Sequence, residues 1–187
     1  MWMEEVKAKK KRGNRVLFTR DSVILQDLRM LLEGRNRRTV ILWALELAQE
    51  TVEELEAGYP GDSRPRNALN AARAWAAGEI KMPGARQAIL DCHAMAGDLT
   101  DPAAIARCHA VGQACSVVHT SGHALGYPMY ELTAIVLEKG EDAGAAVEKR
   151  EKEYVERLLL WIEQEPVYPG KWAGFLRNNP SRKTICP

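Results

Sequence analysis

The chain has 187 residues, 46% of them hydrophobic and 27% charged, a globular balance that excludes disordered and collagen-like chains. Lys plus Arg number 26 against 25 Asp plus Glu, and a net charge of +1 argues against a dedicated nucleic-acid binder. No apolar run approaches the roughly eighteen residues of a membrane span, and Met1 to Lys7 contain no signal-peptide apolar core, so a cytoplasmic protein with no membrane partner is expected.

Residues 1–20 read as an N-terminal arm, in which the basic run from Lys7 to Arg15 is expected to be solvated. Asp21 or Ser22 can cap a helix carrying Val23, Ile24, Leu28, Leu31 and Leu32 to a stop at Gly34. Thr39 opens the next, where Ile41, Leu45, Ala48, Val52 and Leu55 follow helical spacing to Gly58. Pro65 begins a helix with Leu69, Ala72, Trp75 and Ala76 that ends at Gly78, and Pro83 begins another reaching Gly97. Thr100-Asp101-Pro102 is a strong start signal, and the helix behind it is expected to run to about Leu125, ahead of Gly126 and Pro128. Further helices are predicted over Met129 to Lys139, over the charged stretch Asp142 to Gln164, and around Trp172 to Arg177; Pro166, Pro169 and Pro180 break up the tail. Val16 to Thr19 is the one weak strand candidate. The predicted fold is all-α, a compact bundle of six to eight helices with antiparallel neighbours: 21–140 the helical domain, 141–187 a C-terminal helix and tail packed on it.

All four histidines and three of the four cysteines lie between Cys92 and His123. Such residues are zinc ligands, but on one continuous helix Cys108 and His123 stand about 22 Å apart along the axis, too far to share an ion. Cys-x-x-Cys and His-Glu-x-x-His are both missing. Ala104, Gly112, Gly122 and Gly126 share the face, so close helix packing with cysteine as a small hydrophobe is the favoured reading, and no catalytic, metal or cofactor residue is assigned. His109, on the side of Gln113 and Ser116, is expected to be exposed. Cys115 and His119, or Ser121 beside His123, lack an orienting acid and a nucleophile elbow. Arg64, Arg66 and Arg73 are expected to pair with carboxylates such as Asp62 and Glu79.

Asp62-Ser-Arg-Pro-Arg through Ala72-Arg-Ala-Trp75 to Glu79, Arg86-Gln-Ala, Cys92-His-Ala-Met-Ala, and Val118-His-Thr-Ser-Gly-His-Ala-Leu-Gly126, preceded by Arg38 to Ala48 and Tyr59-Pro, form a set of motifs. Together these stretches resemble the immunity-five-like family of immunity proteins. The resemblance covers about residues 35–138. It implies an all-helical domain of bacterial polymorphic toxin systems that binds and neutralises a cognate toxin, with no catalytic residues to carry over. Aromatic and arginine anchors would carry such binding, with Trp161, Tyr168, Trp172 and Arg177 as candidates that could equally close the core. A homodimer is an option. The competing reading is a helical-bundle, metal-dependent hydrolase using His93, His119 and His123.

Overall fold

Capping chemistry sets several of the helix boundaries. Asp101 accepts hydrogen bonds from the backbone N–H groups of Ala103 (3.3 Å) and Ala104 (3.0 Å) at the head of Pro102–Ser116. Asn36 accepts one from Arg38 (3.0 Å), so Arg37–Gly58 begins two residues before Thr39. Pro65 sits in the first turn of Arg64–Ala77, and Gly78 ends that helix in the left-handed conformation at φ 80°.

The computed structural model describes residues 1–177. Its helices are α1 (Trp2–Lys11), α2 (Gln26–Leu32), α3 (Arg37–Gly58), α4 (Arg64–Ala77), α5 (Met82–Met95), α6 (Pro102–Ser116), α7 (Gly126–Lys139), α8 (Ala143–Gln164) and a single turn, α9 (Gly174–Arg177). No strand occurs among the described residues; Val16 to Thr19 is irregular, burying Leu17 and Phe18, with Leu17 N–H donating to Thr133 Oγ1 at 3.0 Å. The all-α bundle predicted from sequence is the fold.

Helix α6 is the hub, packed against α3, α4, α5 and α7. Its buried residues are small (Ala104, Cys108, Ala110, Val111, Gly112, Ala114 and Cys115), which lets four neighbours approach one axis. Helix α8 closes the bundle over α2, α3 and α7 with Val147, Tyr154 and Leu158. Where α7 faces α8, buried Glu131 accepts from Arg150 Nη2 (2.8 Å) and Nε (3.1 Å) and from the Tyr154 hydroxyl. The Tyr127 hydroxyl lies 2.8 Å from Thr51 Oγ1 and donates to the Leu47 carbonyl at 3.0 Å.

Three elements depart from the expected pattern. The basic run, expected as a solvated tail, belongs largely to α1, which buries Trp2 and Val6 one turn apart while Lys7, Lys10 and Lys11 face solvent. Trp2 packs on Phe18 with ring centroids 5.9 Å apart and donates to Glu148 Oε1 at 3.3 Å. Helix α7 begins at Gly126 rather than Met129, with Pro128 in the first turn, where its missing N–H costs nothing. Helix α6 ends at Ser116, nine residues short of Leu125.

Candidate functional site

The early end of α6 builds a cleft lined by three of the four histidines. After Ser116 the chain turns through Val117 to Leu125, including a 3₁₀ turn at Ser121–His123. Arg37 of α3 donates through Nη2 to the carbonyls of Val118 (2.9 Å) and His119 (3.0 Å), and Arg20 donates to that of Gly122. These contacts satisfy carbonyls that a continuous helix would have used internally. The turn takes His119 and His123 off the α6 axis, so the helical-face geometry expected for them does not apply.

The result is a cleft of about 350 Å³ between α4, α5 and this connection. Its polar lining is Arg86, His93, Ser116, His119 and His123; its apolar walls are Trp75, Met82, Ile89 and Leu90. The His119 ring stacks on Trp75 at 6.1 Å and 21°, and Phe175 of the tail packs on Trp75 at 6.0 Å. The tail is tied there by Ala173 N–H donating to the Ala76 carbonyl at 2.7 Å; a Cβ on Gly78 would come within 3.1 Å of Ala173 Cα.

Two glycines make room for the polar groups. A Cβ at Gly112 would lie 2.3 Å from His93 Nε2, and one at Gly126 would lie 2.4 Å from Gln113 Oε1. Gln113 Oε1 in turn stands 2.9 Å from His123 Nδ1, and since a carboxamide oxygen only accepts, His123 donates from Nδ1. His93 Nδ1 lies 3.0 Å from His109 Nδ1, so one neutral ring donates to the other, with Tyr130 against His109 at 5.2 Å. His109, expected to be exposed, is therefore half-buried.

Burial lowers the pKa of His93, and the charges of His109 and His123 lower it further. His109 is lowered by burial, and His123 by burial, then by His119 and Arg20. Ser116 Oγ donates to the Gly112 carbonyl at 2.8 Å, which engages its proton. Cys92, Cys108 and Cys115 are buried free thiols, and Cys92 Sγ contacts the Cys108 carbonyl at 3.5 Å. Burial pushes Cys108 up to about 11 and Cys115 to about 12, and raises Cys92 as well, so all three are core-filling thiols at neutral pH. Cys186 and Pro180 lie outside the described residues.

His93, His119 and His123, the trio of the hydrolase reading, do meet in this cleft. Among the described residues, however, no three His, Cys, Asp or Glu side chains are arranged to hold one metal ion. The arginines after Tyr59-Pro divide. Arg64 pairs with Asp62 (Nε–Oδ1 3.0 Å) and Asp98 (2.8 Å), holding Asp62 below its usual range, and Arg66 pairs with Glu56 (2.8 Å). Arg73 pairs with neither Glu79 nor any other carboxylate among the described residues. It faces a second groove of about 670 Å³ beside Trp161, Tyr168 and Trp172. Those aromatics pack on one another, Trp161 to Tyr168 at 6.3 Å and Tyr168 to Trp172 at 5.5 Å, and Trp161 and Trp172 lean on the core. Arg177 Nε is engaged with the Trp172 carbonyl at 2.8 Å.

Among the polar residues of the cleft, Arg86 and Ser116 are the ones to which the sequence attached no role, although Arg86 stood in a quoted motif; Gln113, which bonds His123 from outside the lining, carried no signal. Around the cleft mouth stand Met82 (42% exposed), Leu90 (48%) and, on the Trp75 ring, Phe175 (46%). Trp75, Arg86, His93, His119 and His123 come from four separate stretches of the family resemblance, and the fold brings all four to one place.

No curated protein and no solved structure matches the chain. A family profile described as Imm-5 like putative immunity protein matches residues 30–160, extending the resemblance at both ends and taking in most of α8. The chain belongs to the Imm-5 like putative immunity protein family.

Proposed function

We propose that this protein is the cytoplasmic immunity partner of a bacterial polymorphic toxin, neutralising its cognate toxin by direct protein–protein binding without catalysis. One observation carries the reading beyond the family: exposed Met82, Leu90 and Phe175 ring a cleft that contains Trp75 and Arg86. Aromatic and arginine anchors within an apolar rim are what a tight protein interface needs. The toxin therefore docks on the α4–α5 face.

The test is co-expression with toxins encoded next to the gene, scored by growth and by co-purification. Rescue and a complex are expected; failure with every such toxin sinks the proposal. Leu90→Glu should weaken the complex about tenfold or more, ~1.4 kcal/mol or above, because it places a charge in a desolvated rim. Leu160→Glu, at a 52%-exposed position on α8, should leave it unchanged.

The second reading, a metal-dependent hydrolase, has one observation in its favour: with Nδ1 donating to Gln113, neutral His123 keeps a bare Nε2 beside His93 and His119. Metal content of protein purified without an affinity tag decides it. Stoichiometric zinc that disappears with His119→Ala would favour the hydrolase; metal-free protein that folds normally with His119 and His123 both replaced would eliminate it.

A further inference from the structure

We infer that the histidine cleft receives a carboxylate carried on an apolar body, supplied by the toxin, with the Arg86 guanidinium as its principal partner and the His119 ring N–H beside it. The source of the carboxylate rests on the immunity reading; the chemistry of the cleft does not.

The charges favour an anion. Arg64, Arg66, Arg107 and Arg150 each hold at least one carboxylate, whereas Arg86 pairs with none among the described residues. No Asp or Glu lines the cleft, and Asp91, the acidic residue near it in α5, accepts the Gln87 amide at 2.8 Å instead. An unpaired guanidinium beside imidazoles and facing no carboxylate is complementary to a negative group, and its planar fork matches a carboxylate with two parallel N–H bonds.

The walls select the body that carries the charge. Met82, Ile89 and Leu90 offer no hydrogen bonds and Trp75 offers only its indole N–H, so this side of the cleft suits hydrocarbon better than the all-polar surface of a phosphate dianion. A carboxylate has two oxygens to satisfy, and its hydrocarbon portion fills the remainder. The roughly 350 Å³ of space accommodates one aromatic or branched side chain with its acid.

Phenylacetate and its neutral analogue phenylacetamide are the probes, titrated into the full chain at pH 7 while histidine ring and tryptophan indole resonances are followed by NMR. Phenylacetate should shift His119 and Trp75 with a dissociation constant of ~1–10 mM, as suits so small a ligand, and phenylacetamide should bind about tenfold more weakly. Inorganic phosphate should bind more weakly than phenylacetate. Arg86 is exposed, so Arg86→Gln should fold normally and abolish the preference for the acid. Equal binding of acid and amide, a preference surviving in Arg86→Gln, phosphate binding as tightly as the acid, or no shift by about 50 mM would overturn the inference. With a toxin in hand, Arg86→Gln should weaken the complex about tenfold; undiminished binding would overturn the inference while leaving the immunity reading intact. Conversely, acid binding by a protein that captures no neighbouring toxin would overturn the toxin as its source.

Discussion

Glu131 and Arg150 lie 2.8 Å apart inside the bundle, and both are almost fully removed from water. The pair persists because its remaining hydrogen-bonding capacity is met: Arg150 also reaches Glu50 (3.0 Å) and Glu153 (2.8 Å), and Tyr154 donates to Glu131. Arg150→Met should cost about 3–5 kcal/mol in urea unfolding, because it strands a buried carboxylate, and adding Glu131→Gln should restore much of the loss. Gly112→Ala gains about 1 kcal/mol of helix propensity but drives a methyl into the His93 ring, an overpacking cost of about 1–3 kcal/mol. Its clearest signature should be the loss of the His93–His109 contact in ring NMR spectra. His93, His109 and His123 all have folded pKa values below the unfolded value of about 6.5. A depressed histidine contributes stability that is complete above about pH 6.5 and lost as pH falls through the folded value, since the unfolded chain then binds more protons. The urea midpoint should therefore drop between about pH 7.5 and 5.5, and the drop should shrink when His93 and His109 are both changed to Gln. Asp62 and Glu56, also lowered, act in a more acidic window.

Punctuation made most of the helices legible at the scale of elements. Asp101-Pro102, Pro65 and Gly78 work through local capping, and the structure places them where local chemistry says. What was illegible depends on distant partners. The end of α6 at Ser116 is held by Arg37, some eighty residues upstream, so no local signal at Val117 to His119 announces it. The cleft was hidden for the same reason: a continuous helix keeps His119 and His123 on the α6 axis, away from Trp75. Helix α1 was obscured differently, because its conspicuous charges are solvated as expected while two apolar residues one turn apart dock it. Val6→Ala together with Trp2→Ala should cost about 3–6 kcal/mol, whereas Lys7, Lys10 and Lys11 changed to Ser should cost under about 0.5 kcal/mol each. Thermal or urea unfolding distinguishes the two outcomes, and equal small effects would mean the arm is a tail after all.

For the molecule as a whole, the central position of α6 joins the core to the cleft. Packed against α3, α4, α5 and α7, its amides should exchange with solvent only on global unfolding, and hydrogen exchange should find Ala110 to Ala114 among the slowest. Cys108 and Cys115 belong to the same helix, so alkylating reagents should label them only at the rate of unfolding. Ser116 carries that protected helix into the cleft, while exposed Met82 and Leu90 line its open side and Phe175 of the tail packs on Trp75. A partner entering it finds His93, Ser116 and His123 already oriented by hydrogen bonds made when the chain folded, and only Arg86 left to be ordered. Substitutions that disturb those three should therefore change the lifetime of the complex far more than how fast it forms.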